Sequence, residues 1–212
     1  MPAPFLRERL SLDPRMTRLH ARIRKCHKCF PKGGNSPVPG EGGGRRRGVL
    51  FIGQAPGVKE PIVQRMFAWT AGKRLFRWLS TIGLEEQRVR TRAYIAAVTK
   101  CYPGKAKGGG GDRKPAPWEV ANCAPYLDEA MSILRPRVMV PIGGLALERI
   151  LGVKELTGCI GREFKVRFPH GVAVVIPLPH PSGASTWFVY PKNQRRLKRA
   201  LALLKRRAKG LI

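Results

Sequence analysis

Val49-Leu50-Phe51-Ile52-Gly53-Gln54-Ala55-Pro56-Gly57 sets four consecutive apolar residues against a turn of glycine and proline. An apolar run this short, bounded by turn residues, predicts a strand buried on both faces, the kind that parallel sheets contain. Outward from it, residues 94–98, 138–142, 164–168 and 172–178 read as further strands. Helical spacing fills the intervals. Pro14 opens a short helix with Met16, Leu19 and Ile23 on one face. A second starts near Thr70, with Leu75, Leu79 and Ile82 inward and Gly83 as its terminator. Others cover residues 118–134, 145–151 and 192–207, the last with Leu197, Leu201 and Leu204 facing in.

Strands alternating with helices predict an α/β fold: one domain, a three-layer α/β/α sandwich around a central, mainly parallel four-stranded sheet. Residues 1–30 carry the amino-terminal helix and two cysteines, residues 31–48 read as a flexible basic connector, and residues 103–117 form a Gly-rich loop. No apolar run approaches a membrane span, and the amino terminus lacks the apolar core of a signal peptide. A cytoplasmic or nucleoid location and no membrane partner are therefore expected.

Forty-one Lys and Arg stand against 13 Asp and Glu, a formal net charge of +28. Confining that charge in a compact body costs self-repulsion, which a polyanion relieves, and displacing condensed counterions from phosphates drives binding. Clusters such as Arg45-Arg46-Arg47, Arg195-Arg196 and Lys205-Arg206-Arg207 would track phosphates without reading sequence. Charge alone fits a ribosomal or nucleoid protein equally well.

Two loops occupy the places where an open α/β sheet puts its chemistry, at the carboxyl ends of strands. One is Gly53-Gln54-Ala55-Pro56-Gly57; the other is Pro179-His180-Pro181-Ser182-Gly183. Five cysteines, an odd number, argue against a disulfide framework. Cys26 and Cys29 form a CxxC, and Cys101 and Cys123 complete a set of four thiols suited to a 4Fe–4S cluster or a structural zinc. Cys159 lies outside the set, and His20, His27 and His170 read as structural.

Taken together, these segments resemble the uracil-DNA glycosylase superfamily, most closely its iron–sulfur families 4 and 5. The resemblance runs in order through Gly53 to Gly57, Glu60, Met66-Phe67, Ala71-Gly72-Lys73, Val98-Thr99-Lys100-Cys101, Pro117-Trp118-Glu119, Cys123-Ala124-Pro125-Tyr126-Leu127, Arg135 to Gly143, and His180-Pro181-Ser182. It implies a monofunctional DNA glycosylase, expected to be a monomer because nothing in the chain calls for a second copy, which flips uracil from DNA and hydrolyses its bond to the sugar. Phe67 would stack on the extruded base, and Gly53, Gln54 and Ala55 would meet its edge. His180 would donate to the base oxygen as negative charge develops there. Ser182, Gly183, Ala184 and Ser185 would touch phosphate, with Arg195 and Arg196 beside them. Cys26, Cys29, Cys101 and Cys123 would hold a structural 4Fe–4S cluster.

Two departures stand out. Where many members carry a carboxylate in the first motif, this chain has Gln54-Ala55, and where a strand often ends in a uracil-reading Asn it has Ala97. Glu60 is then the nearest acidic candidate for helping the water. The same departures admit a rival: a module that binds damaged or abasic DNA without efficient cleavage.

Overall fold

In a computed structural model, which describes residues 12–31, 35–43, 46–108, 111–169, 171–182 and 186–212, the run Val49–Gly53 is strand β1. It pairs in parallel with β2 (Tyr94–Ala97) on one side and β3 (Val138–Pro141) on the other. Two later segments, β4 (Phe164–Phe168) and β5 (Gly171–Val175), form a hairpin whose second strand joins β3 in parallel. The sheet order is β2-β1-β3-β5-β4.

The sheet therefore has five strands rather than four. Four of them are joined by parallel pairing, and β4 adds an antiparallel edge. So short a connection between β4 and β5 permits only an antiparallel return.

Alternate residues of each strand face opposite sides, and two cores result. Val49, Phe51, Ile95 and Val140 pack against α3 (Thr70–Ser80), α4 (Glu86–Arg92) and α7 (Pro191–Ala208). Leu50, Ile52, Ala96 and Met139 pack against α1 (Pro14–Arg24), α5 (Pro117–Leu134) and α6 (Gly144–Leu151). This is the three-layer α/β/α sandwich. Truncating a side chain as enclosed as Phe51 to Ala would cost roughly 3–5 kcal/mol. A single turn, α2 (Glu60–Val63), follows the β1 loop. None of the described helices is long and apolar enough to cross a membrane.

Both segments read as loose are tied down where they are described. In the 31–48 connector, Glu41 and Ile95 exchange backbone hydrogen bonds at 2.9 and 2.8 Å, and Val38 N–H donates to the Lys100 carbonyl at 2.7 Å. Residues 35–43 thus run along the outer edge of β2. In the 103–117 loop, Ala106 N–H donates to Gly111 and Arg113 N–H to Gly104, each at 2.9 Å, around a Lys105–Asp112 bridge. Glycine count alone does not reveal such pairing.

Candidate active site

The carboxyl ends of β1, β2, β3 and β5 emerge at one edge, and the chain steps from β1 to β2 on one side and to β3 on the other. That reversal opens a crevice. A cleft of about 580 Å³ lies there, and Gln54, Ala55, Glu60, Phe67, His180 and Ser182 all line it. Gly53 is not among the lining residues but lies directly behind Phe67, where an added Cβ would stand 2.9 Å from Phe67 Cζ.

Phe67 holds a left-handed backbone, φ 50°, which a bulky residue adopts only when its surroundings compel it. Two features do so. The amino end of α3 closes on its carbonyl so tightly that a Cβ at Gly72 would lie 1.7 Å from Phe67 O; only glycine fits. Arg90, buried on α4, donates to the carbonyls of Met66 at 2.9 Å and Phe67 at 3.1 Å. The same guanidinium is ion-paired with Glu41 and, at 2.8 Å, with Glu86, so its charge is compensated where it is buried.

His180 follows β5 and packs against Gly143 at the start of α6. Burial pulls its pKa down, opposed weakly by Asp112, so the ring is neutral at pH 7. The backbone N–H of Ser182 donates to Nδ1 at 3.3 Å. An accepting Nδ1 leaves the proton on Nε2, which makes Nε2–H the donor. The loop itself is anchored by Arg74 of α3, which donates to the Ser182 carbonyl at 2.8 Å. Gly183, Ala184 and Ser185 lie outside the described residues.

Arg195 and Arg196 fall in the first turns of α7, outside the cleft lining. Arg195 is exposed, and Arg196 donates to Asn193 at 2.9 Å. Ala97 is buried beside Gly53 in the β1–β2 register. Its carbonyl accepts from the buried Lys100 ammonium at 2.6 Å.

Sequence reasoning missed Asp112. Its bridge to Lys105 accompanies its place in the cleft lining, where Glu60 also lies. A Cβ at Gly57 would lie 2.8 Å from Glu60 Oε2 and 3.3 Å from Asp112 Oδ2, so the two carboxylates flank one point. Among the described residues they are the only acidic ones lining the cleft. Tyr102 O–H donates to Asp112 Oδ1 at 3.1 Å, leaving Oδ2 toward the cleft. The signal available in sequence was an aspartate at the end of a Gly-rich run. Arg90 and Arg74 were missed as well.

The four thiols come from the segment after α1 (Cys26, Cys29), the turn after β2 (Cys101) and α5 (Cys123); none is in a disulfide. Burial pushes the Cys101 thiol up to about 12, with Cys123, Cys29 and Cys26 adding to the shift through their charges. Asn122 Nδ2 donates to Cys29 Sγ at 3.6 Å. Among the described residues no three His, Cys, Asp or Glu side chains are set to hold a single ion. The donor set itself, four free thiols within electrostatic reach of one another, fits a thiolate-ligated group. Cys159 stands apart near Glu155 and Arg162. His20 is buried with its Nε2 2.5 Å from the Tyr94 hydroxyl, a packing role.

Residues 39–205 match the family model described as the uracil DNA glycosylase superfamily. The type-4 uracil-DNA glycosylase of Sulfurisphaera tokodaii is 28% identical over 189 residues, 86% of this chain and 79% of that protein. The type-4 enzyme of Pyrobaculum aerophilum is 34% identical over 148 residues, 69% and 67% of the two chains. A type-5 uracil-DNA glycosylase from the same organism is 28% identical over 68% of this chain and 58% of its own length.

Proposed function

The chain belongs to the uracil DNA glycosylase superfamily, and from that premise we propose that it excises uracil from DNA by hydrolysing the N-glycosidic bond and leaving an abasic site. The observation that carries the reading is the neutral His180, with Nε2–H as its donor, in the same cleft as Phe67. Departure of uracil puts negative charge on the base, and a donor fixed where charge appears lowers the barrier more than it tightens substrate binding. A neutral imidazole gives up no proton to the base; it stabilises the anion by hydrogen bonding.

Phe67 would take the flipped base against its ring, held by Arg90 and by the closeness of Gly72. The backbone around Gln54 and Ala55 would face the base edge. Ser182 would contact the phosphate beside the target, with Gly183 to Ser185 following and Arg195 and Arg196 further along the strand. Glu60 and Asp112 would oppose the cationic sugar and orient the attacking water. That pair of carboxylates in the cleft favours catalysis over the rival reading of a module that only binds damage.

Cys26, Cys29, Cys101 and Cys123 would hold a 4Fe–4S cluster, or zinc in its place, cross-linking α1 to α5 and to the turn after β2; that contribution is structural. We further propose that the chain acts as a monomer in the cytoplasm.

The test is single-turnover base release from an oligonucleotide carrying one uracil, beside matched thymine, cytosine and hypoxanthine strands. Scission by mild alkali reads out abasic sites. Cleavage at uracil alone supports the assignment. Retention of uracil-containing DNA with no scission on any strand would replace it with the binding module.

A further inference from the structure

Trp69 stands at the rim of the cleft, two residues beyond Phe67 and at the N-cap of α3. Its side chain is 54% exposed, although an indole is among the costliest groups to leave in water. On the segment preceding it, Val58, Ile62 and Val63 are exposed too. Val58 and Trp69 both line the cleft, and exposed apolar side chains at the mouth of a cleft mark a contact surface. Two ammonium groups, Lys59 and Lys73, each lie 5.6 Å from the indole centroid, and neither is paired with a carboxylate among the described residues. Ring and cations together match a nucleotide, whose base offers a flat face and whose phosphate offers a negative charge.

We propose that Trp69 is the stacking platform for an unpaired base adjacent to the target nucleotide, with Lys59 and Lys73 taking that nucleotide's phosphate. The inference rests on the reading of the cleft as a DNA-base site and names the form of DNA it prefers. A cation over an exposed ring contributes only about 2- to 5-fold in an equilibrium. A base stacked on an aromatic side chain contributes roughly 5- to 150-fold in affinity. The base therefore displaces the ammonium from the ring, and the freed lysine turns to the phosphate. A base inside a duplex already has both faces covered and must be unstacked before it can use the platform. Single-stranded DNA, or a strand frayed next to the uracil, is the favoured ligand.

The experiment measures equilibrium binding of a labelled, uracil-free oligonucleotide by fluorescence anisotropy, single strand against duplex, for wild type, Trp69→Ala and Trp69→Phe. Trp69→Ala is expected to weaken single-strand binding roughly 5-fold or more and duplex binding less than about 2-fold, with Trp69→Phe recovering most of the loss. In wild type, a single strand carrying one non-hydrolysable 2′-fluoro-deoxyuridine with an abasic spacer beside it should bind more weakly by the same factor than the strand without the spacer, and Trp69→Ala should be indifferent to the spacer. Unchanged single-strand affinity in Trp69→Ala overturns the proposal. Equal losses on single strand and duplex, or a Trp69→Phe variant as weak as Trp69→Ala, overturn it as well. Base release is scored separately: a protein that shows this stacking but frees no uracil defeats the glycosylase reading and leaves the platform standing.

Discussion

Arg90 Nη2 donates to the carbonyl of Phe67 at 3.1 Å, and that bond joins the buried charge network to an aromatic residue that lines the cleft. Met66 O, Glu41 and Glu86 take the rest of the guanidinium. Five donors in a planar fork meet four acceptors, an arrangement an ammonium cannot copy. Arg90→Lys is expected to cost about 1–3 kcal/mol in stability through acceptors left unsatisfied. It should also slow base release at temperatures where the variant is folded, because Phe67 loses a constraint on its left-handed backbone. Chemical denaturation with single-turnover rates on the folded protein checks both; a variant as stable and fast as wild type would show the clamp to be idle.

His180→Ala is expected to lower the single-turnover rate about 100- to 1,000-fold while leaving affinity for uracil-containing DNA within a few fold, as befits a donor used mainly in the transition state. Phe67→Ala should weaken retention of the flipped base and the rate together. Equal losses in binding and rate for His180→Ala would mean that the imidazole grips the ground state instead.

Asp112→Asn and Glu60→Gln separate the two carboxylates. Each is expected to slow base release roughly 10-fold or more, since a neutral amide neither opposes a cationic sugar nor accepts a proton from water. Both rates within about 3-fold of wild type would remove the carboxylates from the chemistry.

How far this site was legible follows from which contacts are local. The β1 turn and the His180 loop could be read because a strand end and its turn are contiguous. Asp112 could not, since the Lys105–Asp112 bridge that aims it is a pairing between positions seven apart within a Gly-rich run. Helix α4 escaped notice because Glu86–Arg92 holds only one apolar residue, Val89, and Arg90 went with it. Strand β4 was visible as a strand, but its antiparallel partner depends on the turn after it.

Two buried histidines are expected to weaken the fold in acid. Burial lowers the pKa of His20 to about 4, and lowers that of His180 as well. Below the ordinary value of 6.5 the unfolded chain takes up protons that the folded chain refuses, so unfolding gains on folding. Stability is fully present above pH 6.5 and is lost as the pH falls toward 4, where His20 itself becomes protonated. His20→Gln, keeping a partner for the Tyr94 hydroxyl, should flatten part of this slope. Denaturation midpoints between pH 7 and pH 4 decide the matter: a profile unchanged by His20→Gln would place the acid sensitivity elsewhere.

The thiol set makes the last separation, between a structural group and a catalytic one. Cys26 and Cys29 lie just past α1, Cys101 after β2 and Cys123 on α5, so a group held by all four adds a cross-link to three segments already joined by apolar packing, the Arg22–Glu129 ion pair and the His20–Tyr94 hydrogen bond. Binding free energy of that kind is folding free energy. Cys123→Ser is therefore expected to abolish the visible absorption of an iron–sulfur chromophore and to lower the melting temperature. Base release per folded molecule should persist, because none of the four thiols lines the cleft. Metal analysis of the wild type distinguishes iron with sulfide from zinc. A colourless wild type carrying neither, with a melting temperature unmoved by Cys123→Ser, would mean that the four thiols hold nothing; a stable Cys123→Ser protein that binds uracil-containing DNA but no longer cleaves it would make the group catalytic.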